Sequence, residues 1–113
     1  MLLNPSICGA WLTGGDGVLL GKVSGNPFSG DSVISVSGKY GSSTGSASIW
    51  NPFGQFGNSS GFYSAFNDFA SAPPQMVKNE VVLGVVTTGT TRVQRVHPIA
   101  LRAWLEAGNC SYD

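Results

Sequence analysis

The side chains able to do acid–base chemistry are few in this sequence. His97 is the only histidine, so any mechanism built on a histidine must use it. It stands directly before Pro98 at the start of a predicted helix, where a polar side chain has a structural explanation. The acidic residues are scattered, and none is paired at a motif spacing: Asp16, Asp31, Asp68, Glu80, Glu106 and Asp113. The sequence therefore predicts no catalytic centre, although a glycosidase pair of carboxylates brought together by the fold stays open.

Two further patterns resemble ligand sites. The run Gly14-Gly15-Asp16-Gly17 lacks the Lys-Ser/Thr pair of a phosphate-binding loop and the spacing of a dinucleotide motif, so it predicts a hairpin turn. Asp31 and Asp68 carry oxygen ligands that calcium prefers, but no Asp-x-Asp-x-Asp run is present and a capping role is favoured. Two distant cysteines and one histidine do not suit a structural zinc site. We therefore predict no cofactor and no metal.

Aromatic rings interleaved with amide side chains are the main candidates for binding. Flat rings beside neutral hydrogen-bonding groups suit sugar rings or the surface of another protein. The predicted binding residues are Trp50, Asn51, Phe53, Phe56, Tyr63, Phe66 and Asn67. An alternative stays open, in which most of these rings form the core, because residues 37–75 contain few aliphatic side chains.

These candidates lie in residues 31–74, where one sequence pattern occurs three times at a spacing of sixteen residues. The pairs Ser32-Val33, Ser48-Ile49 and Ser64-Ala65 mark its equivalent positions. The middle copy is the fullest and reads Ser-Ile-Trp-Asn-Pro-Phe-Gly-Gln-Phe-Gly over 48–57. We predict that each copy is a compact turn unit, in which serine caps a 3₁₀-like turn, an apolar pair is buried and Gly-x-aromatic-Gly folds the backbone back.

The flanking segments predict a sheet and a helix. Segments 7–13 and 18–24 surround the glycine-rich turn and predict a hairpin, and 76–90 predicts two more strands. Residues 97–108 predict a short helix, with its apolar side formed by Leu101, Trp104 and Leu105.

The predicted fold is a single domain over residues 1–113, mainly β and loop-rich. Sheet strands from 13–30 and 76–90 form one small antiparallel sheet, the three 16-residue turn units of 31–74 cross its face, and one short C-terminal helix at 97–108 docks on it.

Charge and hydropathy exclude two classes of partner. The formal net charge is zero, with six basic and six acidic residues, so no basic patch predicts binding to nucleic acid. Only 11% of residues are charged, well under the roughly 25% of an ordinary domain. No apolar run approaches the roughly 18 to 20 residues of a membrane span, so we predict no transmembrane segment.

The two cysteines, Cys8 and Cys110, stand near the two ends of the chain. A disulfide between them would close a loop of about 100 residues and stabilise a small domain. Such a bridge indicates an oxidising compartment. The alternative is two unpaired thiols, one buried beside Ile7 and Trp11 and the other in the C-terminal tail.

Several segments together resemble a group of mostly uncharacterised, short, secreted or surface-associated bacterial proteins. Those proteins carry tandem Asn-Pro-Tyr-Gly-x-Tyr-Gly-Ser repeats followed by a Pro-Pro strand and a Leu-Gly-x-Leu-Thr strand. The resemblance covers about residues 17–105 and is carried by Leu-Gly-Lys-Val-Ser-Gly-Asn-Pro-Phe (20–28), Ile-Trp-Asn-Pro-Phe-Gly-Gln-Phe-Gly (49–57), Pro-Pro (73–74) and Leu-Gly-Val-Val-Thr (83–87). The first copy departs from it, with Ser35-Val36-Ser37 in place of the Asn-Pro-aromatic core. The resemblance implies an envelope or extracellular setting and no particular activity.

We therefore expect a non-catalytic structural or protein-binding module of the bacterial envelope or of an extracellular assembly, in the periplasm or outside the cell. Its expected partner is another protein or further copies of itself. The alternative is a small carbohydrate-binding or glycan-hydrolysing domain. The exposure of Trp50 and Tyr63 discriminates between the two, because a coplanar exposed strip of rings favours sugar.

Overall fold

In the computed structural model, which describes residues 2–111, the chain forms a five-stranded sheet with the strand order β2-β1-β3-β4-β5. The strands are β1 (Trp11–Thr13), β2 (Leu19–Lys22), β3 (Gln75–Lys78), β4 (Val81–Val86) and β5 (Arg95–Val96). A 3₁₀ helix, Pro5–Ile7, precedes the sheet, and helix α1, Pro98–Glu106, follows it. The structure thus confirms a fold of strands and loops with one C-terminal helix.

The sheet is mixed, which corrects the expectation of a purely antiparallel one. Strand β1 pairs antiparallel with β2 and β3, and β3 pairs antiparallel with β4. Strand β5 lies parallel to β4, with Val86 opposite Val96. The sequence did not predict β5, because two residues are too few to show an alternating pattern.

Strands β3 and β4 are joined by a two-residue turn whose backbone has left-handed dihedral angles. Asn79 and Glu80 have φ values of 52° and 65°. Two successive positive φ values are the mark of the tight hairpin turn whose twist matches that of paired strands. Lys78, just before this turn, donates from Nζ to the carbonyl oxygen of Cys8 at 2.7 Å, which links the hairpin to the N-terminal segment.

One hydrophobic core joins the sheet, the helix and the long connection between β2 and β3. Leu12 and Met76 face each other across β1 and β3, and both are fully buried. Leu101 and Leu105 of α1 are also fully buried, and Trp104 packs against the same core at its edge. The helix therefore docks through the apolar side that the sequence predicted. No helix among residues 2–111 is long and apolar enough to cross a bilayer.

A disulfide between Cys8 and Cys110 closes the chain near its ends, as the sequence predicted. Cys8 follows the 3₁₀ helix, and Cys110 lies four residues after the end of α1, at a sequence separation of 102 residues. The amide of Gly25 donates to the carbonyl oxygen of Cys110 at 2.9 Å. The bridge therefore holds the C-terminal segment against the chain that leaves β2.

The connection between β2 and β3, residues 23–74, is here named the turn stretch. It contains no helix and no strand, and most of it is a succession of β-turns. In its middle, the amide of Asn51 donates to the Ser48 carbonyl, that of Gly54 to the Asn51 carbonyl, and that of Gly57 to the Gly54 carbonyl. The residue that ends one turn therefore begins the next. These shared corner residues recur every three positions and are mostly serine, asparagine or glycine.

Close backbone packing in the turn stretch requires glycine at particular places. A Cβ atom at Gly57 would lie 2.6 Å from the carbonyl oxygen of Ile49 and closer still to that of Asn51. Sixteen positions earlier, a Cβ atom at Gly41 would overlap the backbone of Ser35 in the same way. Backbone atoms cannot move aside as a flexible side chain can. The backbone therefore passes equally close to both positions, which explains why glycine recurs at 41 and 57, sixteen residues apart.

We expect Gly57→Ala to lower the free energy of unfolding by more than about 2 kcal/mol, because the added methyl group overlaps two backbone carbonyls. Gly30→Ala is the matched control, since nothing lies within 4 Å of its Cβ position. It should change stability by less than about 0.5 kcal/mol. Urea unfolding followed by tryptophan fluorescence measures both. Equal effects of the two substitutions would contradict the packing described for Gly57.

We also expect reduction of the disulfide to lower the free energy of unfolding by about 4 kcal/mol, because the bridge restricts a loop of about 100 residues in the unfolded chain. The measurement is urea unfolding with and without reductant, and the control is the Cys8→Ser/Cys110→Ser variant, which should not respond to reductant. A mass that shows two free thiols in protein isolated without reductant would contradict the bridge.

Candidate functional site

Three serines spaced sixteen residues apart perform the same local task in the turn stretch. Ser32, Ser48 and Ser64 are fully buried. Each hydroxyl oxygen accepts a hydrogen bond from the amide two residues further on, at 3.1 Å for Ile34, 3.1 Å for Trp50 and 3.0 Å for Phe66. The apolar residues directly after the serines, Val33, Ile49 and Ala65, are fully buried as well. These positions anchor the turn stretch to the core.

Trp50 is half-buried and is held on several sides. Its indole Nε1 donates to the carbonyl oxygen of Val33 at 2.7 Å. The edge of its ring meets Phe66, with centroids 5.9 Å apart, and the guanidinium carbon of Arg102 lies 4.8 Å from its ring centre. Trp50 therefore connects two parts of the turn stretch to helix α1. One ring face is covered by the arginine and is not free for a sugar.

The rings of Phe56 and Tyr63 pack together beside the hairpin turn. Phe56 is 2% exposed and belongs to the core. Tyr63 is half-buried, with its ring centre 6.4 Å from that of Phe56 and 5.4 Å from that of Phe62. Trp50 and Tyr63 thus do not form a freely exposed pair. This arrangement agrees with the alternative in which most of the rings stabilise the fold.

The amide side chains of Asn51 and Asn67 are bound to the backbone. Their Nδ2 groups donate to the carbonyl oxygens of Gly45 and Gly61, at 3.1 Å and 2.8 Å. Their Oδ1 atoms accept from the amides of Phe53 and Phe69, at 3.0 Å and 3.1 Å. Each asparagine therefore fixes the shape of its turn at both ends. Neither amide is left without a protein partner.

Phe53 is different from the other predicted binding residues, because its side chain is 92% exposed. Phe28 and Phe69 share this exposure, at 92% and 86%. Each of the three is the third residue of an Asn-x-Phe turn, and each amide donates to Oδ1 of the asparagine two residues before it. Each turn is closed by a hydrogen bond from the residue after the phenylalanine back to the asparagine carbonyl. We name this set the phenylalanine tips (Phe28, Phe53 and Phe69).

The binding residues predicted from the sequence include Phe53 but neither Phe28 nor Phe69. The signal was present in the chain, since Asn26-Pro27-Phe28, Asn51-Pro52-Phe53 and Asn67-Asp68-Phe69 share one pattern. One rule describes these three turns: where asparagine holds the first turn position and phenylalanine the third, the phenylalanine is exposed. That rule distinguishes the exposed Phe53 from the buried Phe56, which has no asparagine two residues before it.

Three of the polar side chains considered for chemistry, His97, Asp68 and Asp16, have structural partners. His97 caps helix α1, with Nδ1 accepting from the amide of Ile99 at 3.1 Å. The carboxylate of Asp68 accepts from the hydroxyl of Thr88. The carboxylate of Asp16 accepts from the amide of Val18 and from Nε2 of Gln55, both at 3.3 Å. Within residues 2–111, no group of three or more His, Cys, Asp or Glu side chains is placed to hold a metal ion.

No protein-family model matches this chain, and comparison with curated proteins and with solved structures finds no match.

We expect Ser48→Ala to lower the free energy of unfolding by about 1 kcal/mol, because the partly buried amide of Trp50 loses its hydrogen-bond acceptor. Ser46→Ala is the control, since Ser46 is an exposed residue of the same stretch. It should change stability by less than about 0.5 kcal/mol. Thermal and urea unfolding measure both variants. A neutral Ser48→Ala substitution would show that the hydroxyl does not hold the turn.

Proposed function

We propose that this protein is a non-catalytic protein-binding module that acts in the periplasm or outside the cell, and that it contacts its partner through the phenylalanine tips. The proposal depends on one observation above all. Three large apolar side chains, each at least 86% exposed, stand on turns of the same design.

Exposed phenylalanine is costly unless a partner covers it. Burying such a side chain is worth about 1.5 to 3 kcal/mol, and the fold does not obtain this stabilisation from Phe28, Phe53 or Phe69. A scattered exposed apolar residue is ordinary, but the same exposure on three turns of one local design is not. Aromatic rings are also enriched in the centres of protein interfaces. These properties favour contact with another protein.

The phenylalanine tips are prepared for binding by their turns. At each tip an asparagine side chain and an i to i+3 hydrogen bond fix the backbone, and at two of them proline restricts it further. Little backbone freedom is therefore lost when a partner covers the ring. A group that is already ordered binds with a smaller entropic cost.

The sequence around Phe53 is free of charge, whereas Asp68 precedes Phe69 and Asp31 stands three residues after Phe28. Residues 40–67 contain no Asp, Glu, Lys, Arg or His. Centres of protein interfaces are depleted in charged residues, because a charge buried without a partner loses its hydration. The neutral surroundings of Phe53 can therefore be covered without that penalty.

The compartment is proposed from the disulfide. A bridge that closes 102 residues persists in oxidising environments and is rare in reducing ones. The resemblance of residues 17–105 to secreted bacterial proteins supports the same setting. Binding of carbohydrate has less support, because the Trp50 face is covered by Arg102 and the amides of Asn51 and Asn67 are bound to the backbone.

A photo-crosslinking experiment tests this function. A benzophenone side chain placed at position 53 should capture one discrete protein in the source cells, whereas the same group at position 93 should not. Val93 is the matched control, because it is 89% exposed and lies outside the turn stretch. Capture of polysaccharide instead would favour the carbohydrate alternative, and equal labelling from both positions would contradict the proposal.

We expect Phe28→Ser/Phe53→Ser/Phe69→Ser to weaken binding to the captured protein by about 100-fold, since loss of each buried ring costs on the order of 1 kcal/mol. Val93→Ser should leave the affinity unchanged. Neither variant should lower the free energy of unfolding by more than about 0.5 kcal/mol, because the substituted side chains are exposed. Affinity is measured by calorimetry, and a triple variant that binds as well as the parent protein would rule out the tips.

A further inference from the structure

We propose a second binding site, for a carboxylate group, in a polar cleft between the β1–β2 turn and the end of the turn stretch. The cleft has a volume of about 390 Å³ and is named the arginine cleft; residues that line it include Thr13, Gly15, Gly17, Ser71, Gln75 and Arg92. It is independent of the phenylalanine tips, none of which lines it.

The floor of the arginine cleft is one end of the sheet. Thr13 of β1 lies opposite Gln75 of β3, and Gln75 lies opposite Val85 of β4. Residues opposite one another in paired strands project to the same face. The three side chains therefore form a row of a hydroxyl, an amide and an apolar group. Thr13 and Gln75 can donate hydrogen bonds to a bound oxygen atom.

The wall of the cleft carries a positively charged group held in place by the backbone. Nη2 of Arg92 donates to the carbonyl oxygens of Ala70 and Ser71, at 3.3 Å and 2.9 Å. Arg95 approaches from β5 and donates from Nη1 to the Arg92 carbonyl oxygen at 2.7 Å. These bonds fix the position of Arg92 without neutralising its charge, because carbonyl oxygens carry no formal charge. Its Nε and Nη1 groups are not used in these contacts.

No carboxylate among residues 2–111 pairs with Arg92 or Arg95 within 4.0 Å, and the salt bridge found there joins Arg102 to Glu106 on helix α1. Asp16 is the acidic residue closest to the cleft in sequence, between Gly15 and Gly17. Its carboxylate is bound by Val18 and Gln55. A positive charge beside a polar cleft without an internal counter-ion favours an anionic ligand.

The charge of the lining indicates which anion. One lining guanidinium balances one negative charge, and the other polar groups named above are neutral. A carboxylate carries a single charge, whereas a phosphate monoester carries about −1.5 to −2 at neutral pH. We therefore assign the site to the carboxylate of an acidic side chain or chain terminus. At the rim, nothing lies within 4 Å of the Cβ position of Gly17, so its backbone is open to an approaching group, whereas Gly15 packs closely against Ala72 and Tyr63.

Titration of the isotopically labelled protein with N-acetylglycine tests the site. We expect saturable NMR shifts at the amides of Gly15 and Gly17 and at Nε of Arg92, with a Kd on the order of millimolar. N-acetylglycinamide, the uncharged analogue, should cause no saturable shift. Inorganic phosphate should bind at least three times more weakly than N-acetylglycine. Tighter binding of phosphate, or an equal response to the amide, would overturn the assignment.

Substitutions test whether the guanidinium of Arg92 is the charged group that binds the carboxylate. Arg92→Gln should weaken binding at least ten-fold, Arg92→Lys should keep it within about three-fold, and Arg102→Gln should leave it unchanged. Asp16→Asn should tighten binding about two-fold, because a nearby negative charge is removed. The Asp16 variant decides the question if Arg92→Gln proves unstable, since Asp16 is exposed and Oδ1 of asparagine can still accept from the Val18 amide. Unchanged binding in both Arg92→Gln and Asp16→Asn would refute the site.

Discussion

The structure depends on how a stretch of chain without helix or strand satisfies its backbone hydrogen bonds inside a folded domain. Buried amides and carbonyls that lack partners are costly, so a long irregular segment normally stays at the surface. Residues 23–74 nevertheless contribute Val33, Ile49 and Phe56 to the core. They can do so because successive β-turns share their corner residues. In addition, serine and asparagine side-chain oxygens accept hydrogen bonds from the backbone amides that the turns themselves do not use. No buried side-chain nitrogen or oxygen in the described residues lacks a partner.

The same turns determine which side chains point inward and which point outward. The buried serines Ser32, Ser48 and Ser64 are each followed by a buried apolar residue, and the turns that begin at Ser32 and Ser48 reach their next corner three residues later. Where that corner is asparagine, as at Asn51 and Asn67, the phenylalanine two residues beyond it is exposed. Both ends of the turn stretch are tied to the sheet region, through Val33 to Lys22 at the beginning and through Ala65 to Thr88 at the end. The exposed rings therefore belong to a segment that is hydrogen-bonded to the sheet region near both of its ends.

Part of this could be predicted from the sequence. Cys8 and Cys110, the glycine-rich turn at 14–17 and the apolar side of α1 were identified because each rests on a local rule or on chain length. Strand β5 and its parallel pairing could not be predicted, since Val96 is placed by contact with β4 and not by any local pattern. The alternation Val33-Ile34-Ser35-Val36-Ser37 resembles a strand but forms turns, because Ser32 and Ser35 serve as turn corners. The three-residue spacing of such corners was present in the sequence and was overlooked.

The candidate site was predicted less well than the fold, for a physical reason. Composition shows that rings are abundant near residue 50, but burial depends on which turn position each ring occupies. Phe53 and Phe56 are three residues apart and both stand next to glycine, yet one is 92% exposed and the other 2%. The difference arises from Asn51, whose side chain accepts from the Phe53 amide and directs that turn outward. An asparagine can therefore determine the role of a phenylalanine without touching its ring. In a chain of this kind the residues that position a binding surface are the turn-forming amides, and substitutions at Asn51 affect the surface through the backbone alone.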